Sequence, residues 1–234
     1  MRTRLLGFAA CGALTLGIAT AASDATVSGF TGVAVDQYGV GNYCVADIYF
    51  TFNLNGATLL NIYNSSVSLE GGLGQLYHND SFGGSWNPQL ANASLDTFAT
   101  IGGGIGFGNT TAADPGWGLA GFNQTGIPGG AGWYNAFPPN GQGLAGSIQT
   151  FDLFGNETYN GLGTLVMRLV IHQSLVGPNG LAFAFSGDLT FNTGLGTAPS
   201  QPSFDLDTVL WVPAPGAFAL LGLAGVVGGR RRRR

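Results

Sequence analysis

Apolar and polar residues alternate with a period of two along three stretches of this chain. From Cys44 the even positions read Cys44, Ala46, Ile48, Phe50, Phe52 and Leu54, with Asp47, Thr51 and Asn53 among the positions between them. Leu165, Met167, Leu169 and Ile171 alternate with Val166, Arg168, Val170 and His172. Leu181, Phe183, Phe185, Leu189 and Phe191 alternate with Ala182, Ala184, Ser186, Asp188, Thr190 and Asn192. Successive side chains of a strand point to opposite faces, so each stretch predicts a strand that lays one apolar face on a core. Weaker forms of the pattern place strands at about 25–36, 58–70, 94–101, 147–154 and 204–212. Between residues 22 and 211 no stretch carries a helical stripe with caps. About eight short strands, broken by turns such as Asn55-Gly56 and Asn179-Gly180, predict an all-β fold, an antiparallel sandwich of the jelly-roll kind. The segment 102–146 is too rich in Gly, Pro and Asn for regular strand. It reads as one or two long loops pinned by Trp117, Phe122, Trp133, Tyr134 and Phe137.

The two ends follow a different pattern. At the start, Met1 to Arg4 are basic, an apolar run follows, and Ala19-Thr20-Ala21 supplies the small-x-small site that a signal peptidase reads. This predicts a signal peptide over 1–21, cleaved after Ala21, and an extracellular β-sandwich domain over 22–211. The last segment, 212–234, has three parts: Val212-Pro213-Ala214-Pro215, a wholly apolar run from Gly216 to Gly229, and Arg230, Arg231, Arg232, Arg233 and Arg234. The Pro residues bar helix at their approach. The apolar run of 14 residues is short for a full span of about 20 but long enough for a hydrophobic helix that holds the tail in a bilayer. The Arg cluster belongs on the cytoplasmic side, which leaves the domain outside.

Charge sharpens this division. Arg2, Arg4 and the five terminal Arg account for all the cations except Arg168, and there is no Lys. All 12 acids lie between Asp24 and Asp207, so the middle carries one Arg against 12 acids. Nucleic-acid binding needs Lys and Arg to displace phosphate counterions, and this domain has only Arg168 to offer. Charged residues make up 9% of the chain, against about 25% in an average soluble domain. Loss of Cys11 with the leader would leave Cys44 alone, which excludes an internal disulfide, a zinc knot and a CxxC pair.

The candidate chemistry is sparse. His78-Asn79-Asp80 falls on a predicted loop close in sequence to Trp86, and an imidazole, an acid and an indole together suit a sugar or a metal; a polar turn with a packed Trp is the plainer alternative. Trp86, Trp117 and Trp133 are candidate stacking platforms for a glycan. His172 shares a predicted strand face with Arg168, placed either to approach a catalytic acid or to pair across strands. Asp205 and Asp207 share another face and offer oxygens to calcium, which takes six to eight such ligands. Asn64, Asn79, Asn92, Asn109, Asn123 and Asn156 each begin an Asn-x-Ser/Thr triplet. No GxSxG, HExxH, Walker or EF-hand pattern occurs. No cofactor is implied.

The tail resembles the PEP-CTERM sorting signal of Gram-negative bacteria, a Pro-Glu-Pro motif, an apolar helix and a terminal Arg cluster, with Ala214 standing where Glu is usual. The stretches LLNIYNSSVSLEGG, LYHNDSFGGSWNP and FATIGGGIGFGNTTAADPGWG also look like a segment found in secreted PEP-CTERM proteins of unassigned function. The resemblance implies two partners, a signal peptidase and a membrane-embedded exosortase, with extracellular polysaccharide as the surroundings. It implies an inner-membrane-tethered precursor that moves on to the cell surface or matrix. The expected function is therefore a non-enzymatic structural or adhesive role in exopolysaccharide or biofilm. The alternatives are a carbohydrate-binding module and a polysaccharide-cleaving hydrolase that uses paired acids.

Overall fold

The computed structural model describes residues 29–80, 84–91, 95–194 and 196–211. The leader with Ala19 and Ala21, the tail from Val212 to Arg234 and the expected C-terminal helix lie outside these residues. Among the described residues the helices are short 3-10 turns, and none is long and apolar enough to cross a membrane. The architecture is all-β, in two antiparallel sheets.

The first sheet runs β1 (Phe30–Val40), β2 (Tyr43–Phe52), β8 (Glu157–His172). On the side of β8 opposite β2 lie two shorter strands in succession, β7 (Gly146–Phe151) and β4 (Phe98–Ala99). The second sheet runs β10 (Ser203–Leu210), β9 (Leu181–Asn192), β3 (Thr58–Leu69), β6 (Trp133–Asn135), β5 (Thr111–Ala113). The chain changes sheet between β2 and β3, β3 and β4, β4 and β5, β6 and β7, and β8 and β9. Because β2 and β8 are antiparallel, the crossovers that follow them leave from opposite ends.

The alternating residues form the core between the sheets. Ala46, Ile48, Phe50 and Phe52 of β2, Met167, Leu169 and Ile171 of β8, and Leu181, Phe183, Phe185, Leu189 and Phe191 of β9 are all buried. Phe50 of the first sheet stacks on Phe185 of the second, with ring centroids 5.9 Å apart, and tilts against Phe204 at 4.6 Å. Phe52 meets Phe191 at 5.3 Å. Aromatic pairs at such separations add to the area they bury.

Two further features matter for the surface. The predicted loop at 102–146 contains β5 and β6, and Trp117, Phe122 and Trp133 pin it, while Tyr134 and Phe137 are exposed. The second face of β2, which carries the intervening residues, is covered as well: Val45, Asp47 and Thr51 are buried. On this face β7 reaches β1, where the Phe151 N–H donates to an Asp36 carboxylate oxygen at 2.7 Å.

Candidate functional site

The far edge of β8 holds two segments beside each other. Tyr77 N–H donates to the Val170 carbonyl at 2.7 Å, and β4 pairs Phe98 with Arg168 and Ala99 with Met167. The segments are also tied to one another, by Thr97 N–H to the Tyr77 carbonyl at 3.2 Å and by Asn79 N–H to Asp96 Oδ1 at 3.0 Å. This juxtaposition brings His78, Asp80 and Asp96 together, with one ligand atom from each within 4.8 Å of the others. His78 Nδ1 lies 3.8 Å from Asp96 Oδ1. The His78 side chain is 8% exposed and that of Asp96 1%.

Trp86 closes the site from one side, its ring edge-on to His78 with centroids 5.4 Å apart. Trp86 is held by backbone bonds, its N–H to the Phe122 carbonyl at 2.7 Å and its carbonyl to Ala99 N–H at 3.1 Å. A cleft of about 320 Å³ opens beside His78, lined by Leu73, Leu76, Tyr77, His78, Gly84 and Thr125 among others. Burial pushes the His78 imidazole toward its neutral form, and the carboxylates of Asp96 and Asp80 pull the other way. The backbone of Ser85 and Thr97 pulls with the carboxylates, but neither ring nitrogen has a partner in hydrogen-bond geometry. One imidazole and two carboxylates form a mixed nitrogen and oxygen ligand set.

His78, Asp80 and Trp86 were readable as neighbours from their spacing. Asp96 was not, because it joins them only through the pairing of β4 and the 76–80 segment with β8.

The stacking-platform expectation is corrected. Trp86, Trp117 and Trp133 are each 0% exposed and present no face to a glycan. Trp117 Nε1 donates to the Gly132 carbonyl at 2.6 Å, which ties the 102–146 segment to itself, and Trp133 Nε1 donates to the Thr100 carbonyl at 2.9 Å, which fastens it to the chain just before it. Trp133 also stacks on Phe185 at 6.1 Å. Asn109 of its Asn-x-Thr triplet is buried, and its amide donates to Thr100 Oγ1 and to the Gly104 carbonyl.

The other candidates separate. His172 Nδ1 lies 2.8 Å from Ser174 Oγ, and its ring packs edge-on to Tyr43. Arg168 turns instead to Asp47, with Nε and Nη2 donating to the two carboxylate oxygens at 2.6 and 2.7 Å. Asp205 and Asp207 are exposed on β10 and belong to no group of three or more ligand side chains among the described residues.

Around Arg168 stands a second polar cluster that the sequence did not reveal. The strand registers set Asp36 opposite Asp47, Asp47 opposite Arg168, and Arg168 opposite Phe98, a row across four strands. Tyr38 donates its hydroxyl to Asp47 Oδ2 at 3.1 Å, and the guanidinium lies 5.5 Å from the centroid of the Phe98 ring. Burial raises the Asp36 pKa, the Phe151 N–H opposes this, and the Asp47 charge adds to it. Burial also acts to lower the Arg168 pKa, but the hydrogen bonds and charge of Asp47 overrule it and raise the pKa above its ordinary value. The cluster is an internal brace.

Compared with protein-family models, curated proteins and solved structures, the chain matches none.

Proposed function

We propose that this chain is an exported bacterial surface or matrix protein, cut after Ala21 by a signal peptidase and sorted through its tail by an exosortase. Its domain serves a non-enzymatic structural or adhesive role in extracellular polysaccharide. The observation that carries this reading is the placement of charge. Every cation except Arg168 stands in one of the two ends, and Arg168 is bound to Asp47 within the fold. The crossovers between sheets support a jelly-roll-like course of the strands.

The tail supplies the test. Each Arg placed near the centre of a bilayer costs about 2.5–3.5 kcal/mol on insertion scales, so Arg230 to Arg234 stop translocation and hold Pro213 to Pro215 near the outer boundary. Replacing the five Arg with Ser is expected to abolish membrane retention and processing together. Changing Pro213 and Pro215 to Ala is expected to leave an uncleaved, membrane-held precursor. A host that processes both variants like the parent refutes the sorting reading.

Carbohydrate binding is the second reading. With the Trp residues buried, it rests on Phe107 and Phe137, which are 90% and 58% exposed in the 102–146 segment. Glycan-array binding lost on Phe107→Ala or Phe137→Ala would favour it. For the hydrolase reading the acid pair Asp36 and Asp47 is ruled out, since both are occupied by Phe151, Tyr38 and Arg168.

A further inference from the structure

We propose that His78, Asp80 and Asp96 bind one divalent first-row metal ion, with Zn²⁺ as its type. Their ligand atoms already stand within 4.8 Å of one another, on two segments that backbone hydrogen bonds hold side by side. The independent observation is His78 itself. Its side chain is more than nine-tenths buried, it borders the cleft, and neither Nδ1 nor Nε2 has a partner in hydrogen-bond geometry, although the backbone of Ser85 and Thr97 lies near enough to act on the ring. Buried polar atoms are nearly always paired, so a ring buried with both nitrogens unmatched, one of them 3.8 Å from a carboxylate, calls for a ligand.

The chemistry selects the class of ion. Calcium takes six to eight oxygens and has no use for an imidazole, whereas one nitrogen with two carboxylates suits zinc and its neighbours. At metal–ligand distances of about 2.0–2.2 Å, two ligands of a tetrahedral ion lie roughly 3.3–3.6 Å apart. The His78–Asp96 pair therefore closes by a few tenths of an ångström, and the widest pair by about an ångström and a half at most, within the reach of side-chain rotation. Three protein ligands leave a position for water from the cleft. The two carboxylates balance the charge of a divalent ion. The ion would clamp the 76–80 segment to the residues just before β4, two segments joined otherwise by a few hydrogen bonds.

The experiment uses the full chain, freed of metal with a chelator, then titrated with Zn²⁺ by calorimetry and with Co²⁺ by visible absorption. One ion per chain, a raised melting temperature that the chelator reverses, and four- or five-coordinate Co²⁺ bands are expected. His78→Gln, Asp80→Asn and Asp96→Asn should each weaken binding at least tenfold. Asp205→Asn with Asp207→Asn, on exposed positions of β10, should leave it unchanged. Because Asp96→Asn alters a buried group, each variant is first checked for cooperative unfolding. The NMR shift of the His78 ring on adding Zn²⁺ to the parent chain reads the site without any substitution. No saturable binding, binding that survives all three substitutions, or a Zn²⁺-induced shift at His172 with none at His78 would overturn the proposal.

Discussion

Arg168→Met removes the one cation of the middle region from a site built around it. The Arg168 side chain is 16% exposed and Asp47 5%, and the pair makes two hydrogen bonds at 2.6 and 2.7 Å. After the change Asp47 stays buried with the Tyr38 hydroxyl as a donor and Asp36 as its neighbour across the strand. Removing one partner of a buried pair typically costs about 3–5 kcal/mol, because the remaining charge keeps its desolvation penalty without its compensation. An exposed pair would contribute at most about 1 kcal/mol. For a domain of this size 1 kcal/mol moves the melting temperature by roughly 2–4 °C, so the expected fall is about 6–20 °C. Urea unfolding of the parent, of Arg168→Met, and of Arg168→Met combined with Asp47→Leu measures this directly. The double variant should recover at least half of the loss, since it removes the stranded charge. A loss below about 1 kcal/mol in the single variant, or no recovery in the double, refutes the buried-brace account.

Two further outcomes follow from the same structure. Gly132→Ala would place a Cβ 2.1 Å from the Ile62 carbonyl oxygen, where β6 passes β3, and should cost about 1–3 kcal/mol or more in chemical denaturation; an unchanged midpoint would show that the strands are not so close. Asp36→Asn keeps an oxygen to accept the Phe151 N–H but removes a carboxylate whose pKa is raised above 3.8. The folded state holds this proton to higher pH than the unfolded one, so the carboxylate lowers stability as pH rises through 3.8 and beyond. The Asn variant should match or exceed the parent at pH 7, with its advantage vanishing below about pH 4. Unfolding curves across pH that show the variant weaker at pH 7 by more than about 1 kcal/mol contradict this.

The strands with a mostly apolar face, β2, β9 apart from Gly187, and β8 from Met167 onward, are legible in the sequence because period-two alternation is a local property. The first half of β8, Glu157 to Gly161, lacks that face and is largely exposed or half-buried as it pairs with β7, so no burial pattern marks it. The three-residue β5 and β6 are hidden within a Gly- and Asn-rich segment, where pairing with β3 overrides weak local preference. The same tertiary pairing makes the site illegible in part. His78 and Asp80 announce themselves by closeness, whereas Asp96 reaches them, and Asp47 reaches Arg168 across 121 residues, only through strand register. Trp117 and Trp133 mislead for a related reason: a polar, Gly-rich context suggests exposure, but an indole whose N–H finds a backbone carbonyl is readily buried; the Trp86 N–H finds no such partner, and that ring is buried against His78.

The sorting account is tested most directly by the intact mass of the protein recovered from the surface or envelope of its native host. The account predicts a chain that begins at Ala22, within a residue or two, and has lost Arg230 to Arg234 together with the apolar run before them. A mass that includes Met1 at one end and the Arg cluster at the other would contradict it.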